Sequence, residues 1–186
     1  DSAKDGGHAV KKILLLSDTH GYMDERILAY AAEADEVWHA GDIGRLDSIA
    51  ALRQLKTFRA VYGNIDGQDI RQLAPLDNRF TVEGVTVWMT HIGGYPGRFD
   101  PRVREILRTR APRLFVCGHS HILKVQYDQK HKMLCMNPGA AGISGFHKMR
   151  TMLRFALQEG DIQQLEVIEL GPRGSAPPTR PGATEK

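Results

Sequence analysis

Three apolar runs, Lys12–Ser17, Glu36–Ala40 and Phe58–Tyr62, alternate with two segments of helical spacing. This alternation constrains the fold more than any other feature. Lys12–Ser17 reads as a strand buried on both faces. Ile27, Leu28, Ala31 and Ala34 then fall on one side of an amphipathic helix over Asp24–Ala34. A second helix over Asp47–Lys56 is expected to bury Ile49, Leu52 and Leu55. The order βαβαβ calls for parallel strands joined by right-handed crossovers.

The second half changes character. Arg79–Val82 and Val85–Thr90 flank Glu83-Gly84, a tight hairpin signal. Leu123–Asp128 and Lys132–Met136 form another hairpin, and Thr151–Leu157 and Gln163–Leu170 a third around Gly160. A helix over Pro101–Arg110 and a strand over Leu114–Cys117 lie between them. The expected class is α/β with mixed parallel and antiparallel strands. Two sheets packed face to face with helices outside would hold this many strands.

The 186 residues suggest one domain, placed at 11–170 with flexible tails at 1–10 and 171–186. The net charge of +3 resides in the tails: residues 1–12 carry +1 and 172–186 carry +2, which leaves 13–171 neutral. The chain's basicity therefore gives no support to a nucleic-acid surface, and long nucleic acid is not an expected partner. Cys117 and Cys135 both lie in apolar runs, which suggests reduced thiols and a cytoplasmic setting. No apolar stretch approaches membrane-spanning length, and Asp1–Lys12 lacks an apolar signal core.

Chemistry-bearing residues gather where the apolar runs end: Asp18 and His20, Asp42, Asn64 and Asp66, His91, and His119 and His121. Strand ends of an open α/β sheet converge on one edge, where ligands bind. Each cluster has an ordinary structural reading. Asp18 can cap a helix, Gly41-Asp42 and Gly63-Asn64 can be turns, and His91 can be a loop histidine. Asp66 can cap the following helix or orient a metal ligand. Gly118-His119-Ser120-His121 is the strongest cluster, since two histidines spaced by one residue after a buried strand rarely serve packing. They could face one site or divide between two metals. Carboxylate, imidazole and carboxamide oxygen together suit borderline divalent metals, and an Asp42 carboxylate could bridge two of them.

The ordered set Asp-x-His, Gly-Asp, Gly-Asn-x-Asp, Thr-His, Gly-His-x-His resembles the calcineurin-like metallophosphoesterase superfamily. The short length and Asn137-Pro138-Gly139 resemble its small YfcE-like branch of bacterial and archaeal phosphodiesterases. The resemblance covers about Ile13 to Leu170 and implies a four-layer α/β/β/α sandwich with two mixed sheets. It implies one metal on Asp18, His20, Asp42 and His121, and a second on Asp42, Asn64, His91 and His119. Asn64, His91 and His119 would also act on the phosphoryl group. The implied cofactors are two divalent ions, Mn first, with Fe, Zn, Co or Ni as other candidates. The implied activity is hydrolysis of a small phosphodiester or phosphomonoester by a metal-bridging hydroxide.

One position departs from the superfamily pattern. Many members carry histidine where this chain has Ile65, which has no proton to give a leaving group. Good leaving groups are therefore expected. Arg98, Arg102, Arg104, His147, Lys148 and Arg150 could orient substrate, but a solvated helix or loop face is the better explanation for each. The competing reading is a non-catalytic scaffold of the same fold, as in a retromer subunit with altered metal positions. The intact set of seven proposed ligands speaks against it. A homo-oligomer, dimer or tetramer, stays open, with no segment of the sequence marking its interface.

Overall fold

A computed structural model describes residues 9–55 and 57–175. The first half contains β1 (Lys11–Leu16), α1 (Glu25–Ala32), β2 (Glu36–His39), α2 (Ala50–Leu55), β3 (Thr57–Ala60) and α3 (Gln68–Leu73). A 3-10 turn over Leu46–Ile49 leads into α2. The second half contains β4 (Asp77–Val82), β5 (Val85–Thr90), α4 (Pro101–Leu107), β6 (Leu114–Val116), β7 (Leu123–Asp128), β8 (Met133–Pro138), β9 (Met149–Gln158) and β10 (Asp161–Pro172). They build two five-stranded mixed sheets, ordered β10-β9-β1-β2-β3 and β4-β5-β6-β8-β7. In the first, β1, β2 and β3 run parallel while β9 and β10 return antiparallel. In the second, β5, β6 and β8 run parallel between antiparallel β4 and β7.

The layers follow from strand periodicity. Side chains alternate across a strand, so Leu14 and Leu16 of β1 join Ile27, Ile49, Leu52 and Ile70 of the helices. Ile13 and Leu15 join the opposite cluster, with Val87, Met89, Leu114 and Val116 from the second sheet. Trp38 ties the sheets together, with edge-on contacts to Phe80 (4.9 Å between centroids) and Phe155 (5.6 Å). On the far side, Trp88 and Phe115 pack against Val103 and Leu107 of α4. The result is α/β/β/α.

Local signals account for the boundaries. Asp24 caps α1 by accepting from the Ile27 amide at 3.0 Å, and Pro101 opens α4 behind the Asp100 cap. The β4–β5 and β9–β10 turns place Glu83-Gly84 and Glu159-Gly160 at positive φ, the conformation of a two-residue hairpin turn.

Several expectations need correction. Leu55 is 46 % exposed, because six-residue α2 ends there and the chain turns into β3. Asp66 does not cap α3, whose cap position is Gly67 without a side-chain bond. The folded unit also extends beyond 170: β10 reaches Pro172, and Arg173 donates to His147 O at 3.0 Å. The rest of the expected C-terminal tail and residues 1–8 lie outside the described residues. Cys117 and Cys135 are buried free thiols, and burial pushes both up to about 12.

Candidate metal centre

Backbone pairing continues past the strand ends and zips the loops together. The amides of Asp18, His20 and Gly21 donate to the carbonyls of Gly41, Asp42 and Ile43 at 2.9, 3.0 and 2.7 Å. Gly118 N–H donates to His91 O at 2.9 Å. Asp18, His20, Asp42, His119 and His121 all have positive φ. Non-glycine residues adopt this conformation at a cost of order 1–3 kcal/mol each, and such residues cluster at functional sites.

All seven residues singled out from the sequence meet here. His121 Nε2 lies 3.1 Å from Asp18 Oδ1, and His20 Nε2 lies 3.9 Å from the same oxygen. Asp42 Oδ2 is 3.4 Å from His20 Nε2 and 3.2 Å from His91 Nε2. Asn64 Oδ1 is 3.0 Å from His91 Nε2 and 3.1 Å from His119 Nδ1. Two donor groups result: Asp18, His20, Asp42 and His121, and Asp42, His91 and His119. Asp42 belongs to both. Its Oδ1 accepts from Ile65 N–H at 3.1 Å, so the shared contacts run through Oδ2 and not through one oxygen per group.

The donor set fits cations. His91 Nδ1 donates to Ala40 O at 2.7 Å, which directs the Nε2 lone pair at Asp42 Oδ2 and Asn64 Oδ1. Three acceptors packed this closely need a proton or a metal between them. Asp18 Oδ1 and His20 Nε2 are buried without hydrogen-bond partners. Such orphans are costly unless a ligand completes them.

The facing carboxylates of Asp18 and Asp42 raise His20 to about 9. Burial pushes the Asp18 carboxyl up, but the facing His121 and His20 rings outweigh it and hold the group below its ordinary range. Asp42 follows the same pattern, with His20 and His91 as its partners. Burial lowers His91, but the adjacent Asp42 carboxylate lifts it above its ordinary value.

Supporting residues surround this set. The Asp66 carboxylate accepts from the amides of Ile43 (3.1 Å), Gly44 (2.8 Å) and Gly63 (2.7 Å), bracing the loops of Asp42 and Asn64. His39 went unread in the sequence. Its Nδ1 accepts from Gly41 N–H at 3.1 Å and its Nε2 bonds Thr19 Oγ1 at 2.9 Å. Burial lowers it to about 4, so it braces two loops as a neutral ring. Asn137 donates to Gly118 O and Ser120 Oγ, both at 3.0 Å, and steadies the His119 loop. A histidine ending an apolar strand was a signal for His39; for Asn137 the only signal was Asn-Pro-Gly itself.

Of the cationic candidates, Arg150 is buried and paired with Asp24 at 2.9 Å, and Arg102 is tied to Asp77 at 2.8 Å and to Thr90. Neither is free to meet a substrate. Arg98 and Arg104 are exposed.

A family model for the calcineurin-like phosphoesterase superfamily domain matches residues 12–160. The chain belongs to this superfamily. A probable metallophosphoesterase of Mycoplasma pneumoniae is 31% identical over 163 residues, covering 83% of this chain and 94% of that protein. A predicted phosphoesterase from Streptococcus pneumoniae superposes with a TM-score of 0.64 at 20% identity, covering 94% and 95% of the two chains. Vps29 of Entamoeba histolytica, in a zinc complex, gives 0.61 at 16% identity, covering 85% and 98%. At these identities the structural likenesses establish the fold, and the family match establishes a metal-dependent phosphoesterase lineage.

Proposed function

We propose that the chain hydrolyses small phosphate esters, diesters first, at a two-ion centre of the YfcE-like kind. Asp18, His20, Asp42 and His121 would hold one ion, and Asp42, Asn64, His91 and His119 the other. The observation that carries this reading is the pair of donor groups sharing Asp42 Oδ2 beside two buried, unpartnered polar atoms. Divalent ions there would supply Lewis acidity and a nucleophile at neutral pH. Mn is the first choice, with Fe, Zn, Co or Ni also suited to the donors.

The chain's own groups perform the remaining work. The Ala40 carbonyl fixes the His91 ring, so its Nε2 needs no reorientation. Asn64 and His119 are exposed at the mouth, where an amide N–H or ring N–H can donate to a phosphoryl oxygen. Ile65 offers no proton, so the alcohol must leave on its own acidity and aryl esters should be favoured. A solved relative described as a novel archaeal phosphodiesterase, with a TM-score of 0.63 at 19% identity, supports diesters as the first class to try.

The test is metal analysis of the purified protein, followed by Mn-supported assays with p-nitrophenyl diesters and monoesters. Asp42→Asn should lower turnover at least about a hundredfold, as expected when a group organising charge at the reacting centre is lost. Wild-type activity in that variant, with both metals retained, would remove Asp42 from its shared role. A scaffold reading draws on one observation: Ile65, Ile92, Ile122 and Phe146 are exposed. It predicts metal binding with no turnover of any panel ester.

A further inference from the structure

A groove of about 360 Å³ opens from His119 between the 92–100 loop, the 117–122 loop and strands β7 and β8. It is large enough for a small ligand. Its exposed apolar surface comes from Ile92, Ile122 and the Tyr95 ring. Two cations also line it. Lys124 Nζ sits 3.7 Å from the centre of the Tyr95 ring, so the ring face holds the ammonium without neutralising it. Arg98 lines the same groove, and no acid among the described residues pairs with its guanidinium. The one acid in the lining, Asp100, is committed to α4: its Oδ1 accepts from Arg102 N–H at 3.0 Å. Gln126, Ser120 and Asn137 add neutral polarity.

The neutral balance of residues 13–171 makes this local excess of positive charge more telling. Apolar walls with two uncommitted cations, opening from a proposed phosphoryl centre, suit an ester arm with a flat apolar body and an anionic end. We infer that this groove is the subsite for one arm of the substrate, and that it selects arms bearing an aromatic or similarly flat group and a second negative charge. Arg98 and Lys124 bind that charge. This inference rests on the phosphoesterase reading and narrows its substrate class to doubly anionic, amphiphilic phosphoesters.

The experiment compares two ligands that differ in one carboxylate. Binding of benzylphosphonate and 4-carboxybenzylphosphonate to the Mn-loaded protein is measured by calorimetry. In parallel, KM and kcat are measured for the p-nitrophenyl diesters of benzyl alcohol and 4-carboxybenzyl alcohol. The carboxylated ligand should bind roughly tenfold tighter, as charge-assisted hydrogen bonds allow. Arg98→Gln with Lys124→Met should erase that preference and leave benzylphosphonate binding and kcat unchanged. Lys124→Met keeps an apolar stem over Tyr95, so loss of packing is controlled.

Equal binding of the two phosphonates to the wild type, or equal losses for both in the double variant, would overturn the subsite. Discrimination in binding with no turnover of either diester would uphold the subsite and remove the hydrolase reading, which keeps the two failures apart.

Discussion

Ile65 shows how one side chain can set the range of a reaction. Its amide is spent on Asp42 Oδ1, and its side chain is 46 % exposed beside Asn64. A residue here can reach a bound ester, yet isoleucine can neither donate nor accept a proton. Ile65→His should raise kcat/KM for an alkyl phosphodiester by at least tenfold, within the roughly 10²–10⁴ range of general acid catalysis. A p-nitrophenyl diester, whose alcohol needs no proton, should change little. Equal gains on both esters would show that Ile65 affects binding and not protonation. His39 makes the opposite point: a histidine in the centre's wall that must stay uncharged. Its folded value, about 4, lies below the 6.5 of an exposed histidine, so the unfolded chain takes up the proton first. Its contribution is therefore complete above about pH 6.5 and is lost as pH falls toward 4. Metal-free protein should show falling thermal stability across that window. His39→Asn, which keeps an acceptor for Gly41 N–H, should flatten the slope; an unchanged slope would assign it to other groups.

The functional side chains stand on the turns that follow strands, and those turns are packed against each other. A Cβ on Gly118 would stand 2.2 Å from Ser17 Oγ and 2.8 Å from Asp18 Oδ2. Gly118→Ala should therefore push the loop after β6 away from the loop after β1. Metal affinity should fall by tenfold or more, while the far-UV circular dichroism stays native; an unchanged metal affinity would mean the loops separate without cost. These tight approaches also explain what the sequence could and could not reveal. Strands and helices were legible because β1 is a continuous apolar run and α1 carries a period of 3.6. The proposed ligands stood out because each follows an apolar run. The bracing did not, because its partners come from other parts of the chain: Asn137 reaches back to Gly118, and Asp66 to Ile43 and Gly44. Leu55 misled because helical spacing says nothing about where a short helix stops. The left-handed backbone at Asp18, His20, Asp42, His119 and His121 is set by the packing of several loops, and none of these residues announces it by type.

Across the whole molecule, the centre draws on both sheets. Asp18, His20, Asp42 and Asn64 follow strands β1, β2 and β3 of the first sheet, whereas His91, His119 and His121 follow β5 and β6 of the second. Elsewhere these sheets are joined chiefly by apolar side chains such as Trp38 and Phe80. Each proposed ion would bind side chains from both layers and act as a crosslink at one end of the sandwich. The unfolded chain cannot offer this arrangement, so bound metal stabilises the native state by mass action. At a hundredfold excess over its dissociation constant, one ion contributes about 2.7 kcal/mol. For a domain of this size each kcal/mol moves the midpoint by about 2–4 °C. Chelation with EDTA removes two such ions and should therefore lower Tm by roughly 10–20 °C, and excess Mn should restore it. Asp42→Asn should show a reduced response, because Asp42 is the one residue in both donor groups. Two further variants separate crosslinking from simple ligand loss: Asp18→Ala removes a donor from the first sheet and His121→Ala one from the second. If the ions clamp the layers, both should lose the Mn-dependent rise in Tm to a similar degree. A rise retained in full when either donor is removed would show that the metals sit on one sheet and leave the interface between the layers to its apolar core.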